Sequence, residues 1–505
     1  MASTNQNFLS DRLPWKKEKK AEPMGVTNTS ESSPLLGQRQ METAFETFRR
    51  MYPDYDSTRK LDELRATEYA RLDRGKHVYL DYTSASLYAQ SQLQNHMALL
   101  SEEVLGNPGS KNITSLKMSQ MIEHVREYTL QYFNASSDEY MVIFTQNATA
   151  ALKLIGESYP FKPGATFLLT CDNHNSVNGI REYAHDQGAA VDYVPILPPH
   201  LYADEDYLTK ALQSAKTGEN HLFAYPAQSN FSGVQYPLNW IEEAQEKGWD
   251  VLLDAAAYVP TNRLDLGRWH PDFVTVSFYK IFGYPTGIGC LLMRKSAAKK
   301  LRRPWFAAGT TVFSSVAASD HYQKPGPAGY EDGTVNYLSF PAVEFGLKWI
   351  ESIGIDMIHT RVMCLTDWLI DQLLLLYHRN GQPLIRLYGP PDAQRRGANI
   401  QVNFFSSAGM MIDCYIMEKL ANEERISLQA GCQCNPGARE AALGVKGEDL
   451  TACFQDKASK TYDQFMNGLD GKMTGAVRAS LGVASNFSDV YRYVQFARSF
   501  IDFKS

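Results

Sequence analysis

From about residue 140 the sequence repeats one scheme: a short apolar run, a polar cluster at its end, and then a helical pattern. YMVIFTQNATAALKLIGESY (140–159) and ATFLLTCDNHNSVNGIREYA (165–184) each read as strand, polar turn and helix. HLFAYPAQSNFSG (221–233), WDVLLDAAAYVP (249–260) and DFVTVSFYKIFG (272–283) are three more apolar runs with polar ends, and GIGCLLMRK (287–295) reads as a returning strand. Strands that are apolar on both faces must be covered on both faces, so their alternation with helices predicts a mostly parallel α/β sheet. Ligands of such sheets sit beyond the carboxyl ends of the strands, and every one of these polar clusters falls at that edge. After about residue 340 the pattern changes to long amphipathic helices (AVEFGLKWIESIGI, MCLTDWLIDQLLLLYH) and short strands (ANIQVNFF, GAVRASLG), which predicts a second, smaller α+β lobe.

The expected division is therefore a disordered tail over 1–40, an N-terminal segment over 41–100 packing on both lobes, a large domain over 101–340 and a small C-terminal domain over 341–505. The tail assignment rests on polar, aperiodic composition. With 505 residues, 44% of them hydrophobic, the chain can bury a core in each lobe. Its net charge of -6 is spread without blocks, and no basic stripe interleaves with aromatics, so nucleic acid is excluded as a partner. The N-terminus lacks the apolar core of a secretory signal and no run approaches the roughly 18 apolar residues of a membrane span, so no membrane is expected and the cytoplasm is the default. Seven scattered cysteines (171, 290, 364, 414, 432, 434 and 453) read as reduced thiols of such a compartment.

Lys280 follows the apolar run 273–278, where partial desolvation favours the neutral, nucleophilic amine; taken alone, a lysine there is ordinarily a solvated strand-end charge, and its neighbours are what set it apart. Asp254 ends the run VLLD, where it is a candidate acid for a cofactor's ring nitrogen, a satisfied core aspartate or a helix cap. The turn Thr145-Gln146-Asn147-Ala148-Thr149 opens a helix after a strand, so its free N–H groups and the Thr149 hydroxyl form a phosphate cradle, or an ordinary N-cap. Ser277 can add a hydroxyl there. His174 can stack on a planar ring or simply be hydrogen-bonded. GCQCNPGA (431–438) carries Cys432 and Cys434 in a Gly/Pro turn; C-x-C is poor zinc spacing without a second Cys/His pair, so no metal is expected and a thiolate nucleophile is the alternative. Arg478, in GAVRASLG, can clamp a carboxylate bidentately or form a surface ion pair.

These residues, with VYLDYTSASLYAQSQ, GNPGS, VIFTQNATAALKLIGE, PAQSNFSG, LLDAAAYVPT, VSFYKIFGYPTGIGCLL, YEDGTVNYLSFPAV, GCQCNPGA and TGAVRASLG, resemble the class V aminotransferase family, and within it the N-terminal domain of eukaryotic molybdenum-cofactor sulfurases. The resemblance runs from about residue 58 to the C-terminus. It implies a PLP-dependent transferase of fold type I, a homodimer with sites at the subunit boundary, and pyridoxal 5'-phosphate (PLP) as cofactor. On the matching positions Lys280 is the Schiff-base lysine, Asp254 the pyridinium partner and His174 the stacking residue. Ala148, Thr149 and Ser277 hold the phosphate, with Thr334 reaching from the other subunit. Asn230 lies near substrate and ring oxygen, Arg478 anchors the substrate carboxylate, and Cys434 forms the persulfide. The implied activity is cysteine desulfuration, with L-cysteine as substrate and sulfur passed to an acceptor.

Several positions depart from that family's pattern. Tyr82 to Ser86 replace a small Ala-Gly-Ala-Thr-like segment expected near the substrate, and Ala307-Ala308-Gly309-Thr310-Thr311 replaces a Gly-rich run. Arg439 stands where a further cysteine is expected, and Asn147 replaces a glycine, as a residue able to adopt the left-handed conformation. The sequence ends where the sulfurases continue into a C-terminal domain, which leads to the expectation of a separate acceptor protein. The altered substrate-side segment supports an alternative: a PLP lyase, decarboxylase or C–C-bond-forming enzyme acting on another amino acid.

Overall fold

The computed structural model describes residues 34–216, 218–445, 447–448, 450–451 and 475–503. Its centre is a seven-stranded sheet: β1 (Tyr140–Thr145), β2 (Thr166–Thr170), β3 (Ala190–Val194), β4 (His221–Pro226), β5 (Trp249–Asp254), β6 (Phe273–Ser277) and β7 (Gly289–Arg294), in the order β1-β7-β6-β5-β4-β2-β3. β2 through β6 run parallel, while β7 is antiparallel to both neighbours. β7 is the returning strand of the sequence pattern.

The apolar runs split between two faces as the period of two requires. Ile143, Leu169, Leu222, Leu252 and Leu291 pack on one face with Ile155 of the helix Ala148–Ser158. Val142, Leu168, Phe223, Val251, Val274 and Leu292 belong to the other face and its larger core. Both faces being covered, polar groups can surface only at the strand ends, and the clusters 145–149, 171–176, 227–230, 254–257 and 277–280 all lie at the carboxyl edge.

Beyond the long helices Phe340–Ile353 and Ile355–Leu374 the small lobe forms a four-stranded antiparallel sheet: β8 (Ile385–Tyr388), β9 (Asn399–Phe404), β10 (Gln429–Gly431) and β11 (Ala476–Ser480), in the order β8-β9-β11-β10. The N-terminal segment clamps this lobe. Arg361, fully buried, donates through Nη1 and Nη2 to the two oxygens of Asp62, each at 2.7 Å, and through Nε to Thr58 Oγ1 at 2.6 Å. Arg65 Nη1 donates to Asp489 Oδ2 at 2.5 Å. The same segment reaches the large lobe, where His96 Nδ1 lies 2.7 Å from the Tyr284 hydroxyl and the Ser86 N–H donates to the Tyr279 carbonyl.

One boundary differs from the sequence reading. A helix begins at Pro34, inside the stretch assigned to the tail, and runs to Met51. Ala44, Phe48 and partly buried Met41 and Phe45 lie along one of its faces, and Phe48 meets Trp368 and Phe487 at ring-centroid distances of 6.0 and 4.9 Å. Burial of that apolar stripe outweighs the polar composition around it. Residues 1–33 of the expected tail and Cys453 lie outside the described residues. No helix among the described residues is long and apolar enough to cross a membrane.

Gly289, the first residue of β7, pairs with Thr145 at the end of β1 and with Ser277 at the end of β6 and lets the two strand ends approach. A Cβ there would lie 2.6 Å from the Val276 carbonyl oxygen and 2.7 Å from Asn147 Cα, both backbone atoms that cannot move independently of the sheet. Gly289→Ala is therefore expected to lower stability by about 1–3 kcal/mol, the usual range for overpacking. Urea unfolding would measure it, and an unchanged midpoint would contradict the close approach.

Candidate active site

β6 ends at Ser277 and turns directly into the short helix Phe278–Phe282, which closes at Gly283 with φ 82°. A Cβ on Gly283 would strike Tyr88 N at 2.4 Å, so only glycine lets this turn close under the N-terminal segment. The turn carries Lys280 into a cavity between the lobes that is also lined by Tyr82, Thr83, Ser86, Gln228, Ala257 and Asn399. Burial pushes the Lys280 amine below its usual range, against the opposing charges of Asp254, Cys434 and Asp81. Among the described residues its Nζ makes no hydrogen bond or ion pair. Asp254, the last residue of the neighbouring β5, is 9% exposed. Its Oδ1 accepts from Ala256 N at 3.1 Å and from Thr275 Oγ1 at 3.3 Å.

The turn after β1 combines both readings the sequence left open. Asn147 caps the helix Ala148–Ser158 by accepting from Ala150 N at 3.0 Å. Its φ of -175° is extended backbone, so the left-handed conformation expected at this glycine-replacing position is absent. The physical reason is the cap itself, which needs extended backbone to turn the side chain onto the helix start. Ala148 N donates to Ser277 Oγ at 2.9 Å, and the exposed Thr149 hydroxyl lies 2.8 Å from Ser176 Oγ. Three hydroxyls thus meet at the positive end of one helix. Ser176 was not singled out in the sequence, although its place two residues after His174 at a helix start was a usable signal.

His174 is itself an N-cap: Nδ1 accepts from Ser176 N at 3.1 Å, which leaves the ring proton on Nε2. Burial lowers its pKa from 6.5, and nearby Lys280 and Arg478 act in the same direction against Asp254. The imidazole is therefore neutral. The next residue binds the thiol loop, Asn175 N donating to the Cys434 carbonyl at 2.7 Å. Gln433 and Cys434 both have positive φ, 50° and 56°, and the Cys434 side chain is exposed. Asn230 Nδ2 donates to the Gln433 carbonyl at 2.7 Å, closing the loop against the end of β4.

Arg478 on β11 is 2% exposed, so it is no surface ion pair. Its Nη1 donates to the Asn230 carbonyl at 2.8 Å. Its Nη2 donates to Asp81 Oδ1 at 3.1 Å, to Ser84 Oγ at 2.7 Å and to Gln429 Oε1. Its Nε is buried with no partner among the described residues. Asp81 and Gln429 are further members the sequence reading missed. Lys280, Asp254, His174, Asn230, Cys434 and Arg478 are thus joined by hydrogen bonds or mutual charge effects, with Ala148, Thr149 and Ser277 adjoining His174 through Ser176. Thr334 is exposed and makes no hydrogen bond to any of them. Among the described residues no group of three or more His, Cys, Asp or Glu could hold a metal ion.

Because His174 is held neutral in the fold but titrates normally when unfolded, the unfolded chain binds the extra proton first as pH falls below 6.5. Its contribution to stability is present above that pH and is lost toward the lower folded pKa. His174→Gln should therefore lose less stability than the parent between pH 7 and pH 5 in parallel denaturant titrations. Identical losses would contradict a neutral His174.

The aminotransferase class-V family model matches residues 78–493. Molybdenum cofactor sulfurase of Solanum lycopersicum is 36% identical over 501 residues, covering 91% of this chain and 60% of that protein. The Homo sapiens protein of the same name is 37% identical over 458 residues, 86% of this chain and 51% of its own. The chain thus spans between half and three-fifths of these relatives' length. The apo cysteine desulfurase from Thermococcus onnurineus NA1 superposes with a TM-score of 0.71 at 20% identity, covering 87% of this chain and 98% of that one. The S-sulfonic acid form of the Escherichia coli cysteine desulfurase CsdA gives 0.69 at 20% identity, over 88% and 98%. At that identity the likeness is one of fold.

Proposed function

The chain belongs to the class-V aminotransferase family, and on that premise we propose that it is a PLP-dependent enzyme that draws sulfur from L-cysteine onto Cys434. The observation that carries this reading is the exposed Cys434 thiol on a loop hydrogen-bonded to the residue after His174, close enough for its charge to act on both Lys280 and Arg478.

The residues present suit the cofactor. An amine shifted toward neutrality and free of partners suits an aldehyde; a buried carboxylate one strand away suits a protonated ring nitrogen; hydroxyls at a helix start suit a phosphate ester. When bound, PLP supplies an electron sink for the α-carbon of an amino acid attached to it. Asp254 would hold a proton on the ring nitrogen, and neutral His174 would present a flat face without adding a competing charge. Lys280 Nζ would hold the cofactor and, as a neutral amine, would serve as the base for the substrate's α-proton. The buried Arg478 would donate its one unpartnered group, Nε–H, to the substrate carboxylate, with Asp81, Ser84 and Gln429 fixing the guanidinium plane through Nη2. Cys434 Sγ then bonds to the substrate sulfur as the Cβ–S bond breaks. The electron pair of that bond stays with the carbon side, which takes up protons and leaves as alanine, and a persulfide remains on Cys434.

Sulfur leaves the exposed thiol for an acceptor that comes to it. A second copy of the chain completes the assembly: the hairpin formed by Thr311–Ser315 and Asp320–Gln323 exposes Val312, Phe313, Val316 and Tyr322, an apolar surface suited to a partner, and Thr334 is exposed beyond it.

Incubation with L-cysteine and a reducing thiol should release sulfide and alanine in equal amounts. Cys434→Ala should abolish sulfide while keeping the cofactor's absorbance, and Lys280→Ala should abolish both. Turnover of an amino acid that survives Cys434→Ala would assign a lyase or decarboxylase in place of a desulfurase.

A further inference from the structure

Asp172 leaves β2 two residues before His174 and is fully buried, yet no lysine or arginine among the described residues pairs with it. A buried carboxylate without a cation must be satisfied by neutral donors, and four converge on it. Ser229 Oγ and Asn435 Nδ2 donate to Oδ1 at 2.7 and 2.6 Å, while the Tyr236 hydroxyl and Ser232 Oγ donate to Oδ2 at 2.9 and 3.4 Å. Three of these donors belong to the segment that follows β4 in the large lobe. The fourth, Asn435, is the residue after Cys434.

Asn435 cannot turn away from Asp172. Its Oδ1 accepts from Ala438 N at 3.2 Å and caps the helix Pro436–Leu443, so its Nδ2 must face acceptors, and it finds Asp172 and Asn230 Oδ1, the latter at 3.0 Å. Its own N–H donates to the Cys432 carbonyl at 2.9 Å. The thiol is therefore gripped on both sides by one short stretch of the large lobe, Asn175 holding the Cys434 carbonyl and Asp172 holding the next side chain. Consecutive left-handed residues such as Gln433 and Cys434 persist only where their surroundings over-determine them, and these two hydrogen bonds supply that constraint from the same loop that carries His174.

We propose that Asp172 is a positioning residue for Cys434, acting through Asn435 to set the thiol's distance from the substrate sulfur. The proposal rests on the desulfurase reading for its chemistry, and its geometry stands apart from that reading. A misplacement of about 1 Å at a reacting atom costs on the order of 100-fold in rate.

The test uses the PLP-loaded enzyme. Asn435→Asp keeps the helix cap but turns the amide donor into a carboxylate facing Asp172; Asn435→Ser keeps the cap and removes the donor without adding charge. Adding Asp172→Asn to Asn435→Asp restores one donor–acceptor pair with its polarity reversed. Single-turnover persulfide formation from L-cysteine should fall about 10- to 100-fold in Asn435→Ser and Asn435→Asp with the cofactor's absorbance retained. The double variant should recover about tenfold over Asn435→Asp. Alkylation of Cys434 by iodoacetamide, mapped by mass spectrometry, should change in both single variants and return toward the parent rate in the double. Unchanged alkylation and persulfide rates in Asn435→Ser, or a folded double variant no better than Asn435→Asp, would overturn the proposal. If the parent enzyme forms no persulfide, the desulfurase reading fails, and the alkylation rates still decide the role of Asp172.

Discussion

The register between β5 and β6 is the constraint on which the rest of the site depends. Asp254 pairs in the ladder with Thr275, and Lys280 lies one short turn beyond the end of β6. Parallel backbone hydrogen bonds therefore fix the carboxylate relative to the amine before any side-chain contact is made. A slip of one residue would exchange the faces of the whole strand and carry Asp254 into the apolar interior. The strand interiors are apolar on both faces and would accept either register, so it is the polar strand ends, Asp254 among them, that fix it, and the stability of the sheet and the geometry of the site are one requirement.

The small lobe brings the second half of the site to this edge. β11 carries Arg478 and β10 ends where the thiol loop begins, so one antiparallel ladder sets the arginine and the loop together. The N-terminal segment steadies the join through buried arginines that find carboxylates on the far side, Arg361 with Asp62 and Arg65 with Asp489. Arg65 and Asp489 are both buried, and breaking such a pair by removing one partner leaves an uncompensated charge that commonly costs about 3–5 kcal/mol. That penalty ties the segment to the lobe more firmly than its helices' own propensities would.

The sheet, its strand ends and the change to a second lobe were legible because each rests on local periodicity. Lys280, Asp254, His174 and Thr149 stood out for the same reason: each is a polar residue interrupting or ending an apolar run. The groups that hold them in place were not legible. Arg478 meets Asp81 across 397 residues and Asn435 meets Asp172 across 263, and no local pattern encodes a contact of that span. Asn147 illustrates a different limit. A glycine-replacing asparagine suggests left-handed backbone, but the same side chain caps a helix, and capping prevailed because the helix start leaves an N–H unsatisfied without it. At Pro34 the polar surroundings hid a stripe of aromatic residues that only tertiary packing reveals.

The thiol loop, pinned by Asn175, Asn230 and Asn435 around two left-handed residues, has little freedom to travel. A tethered group that cannot swing has a fixed radius of action, roughly the length of one side chain. On the proposed reading, the work of spanning distance then falls on the acceptor: Cys434 is exposed but fixed, so the group that collects sulfur must itself come within a side chain's length of it.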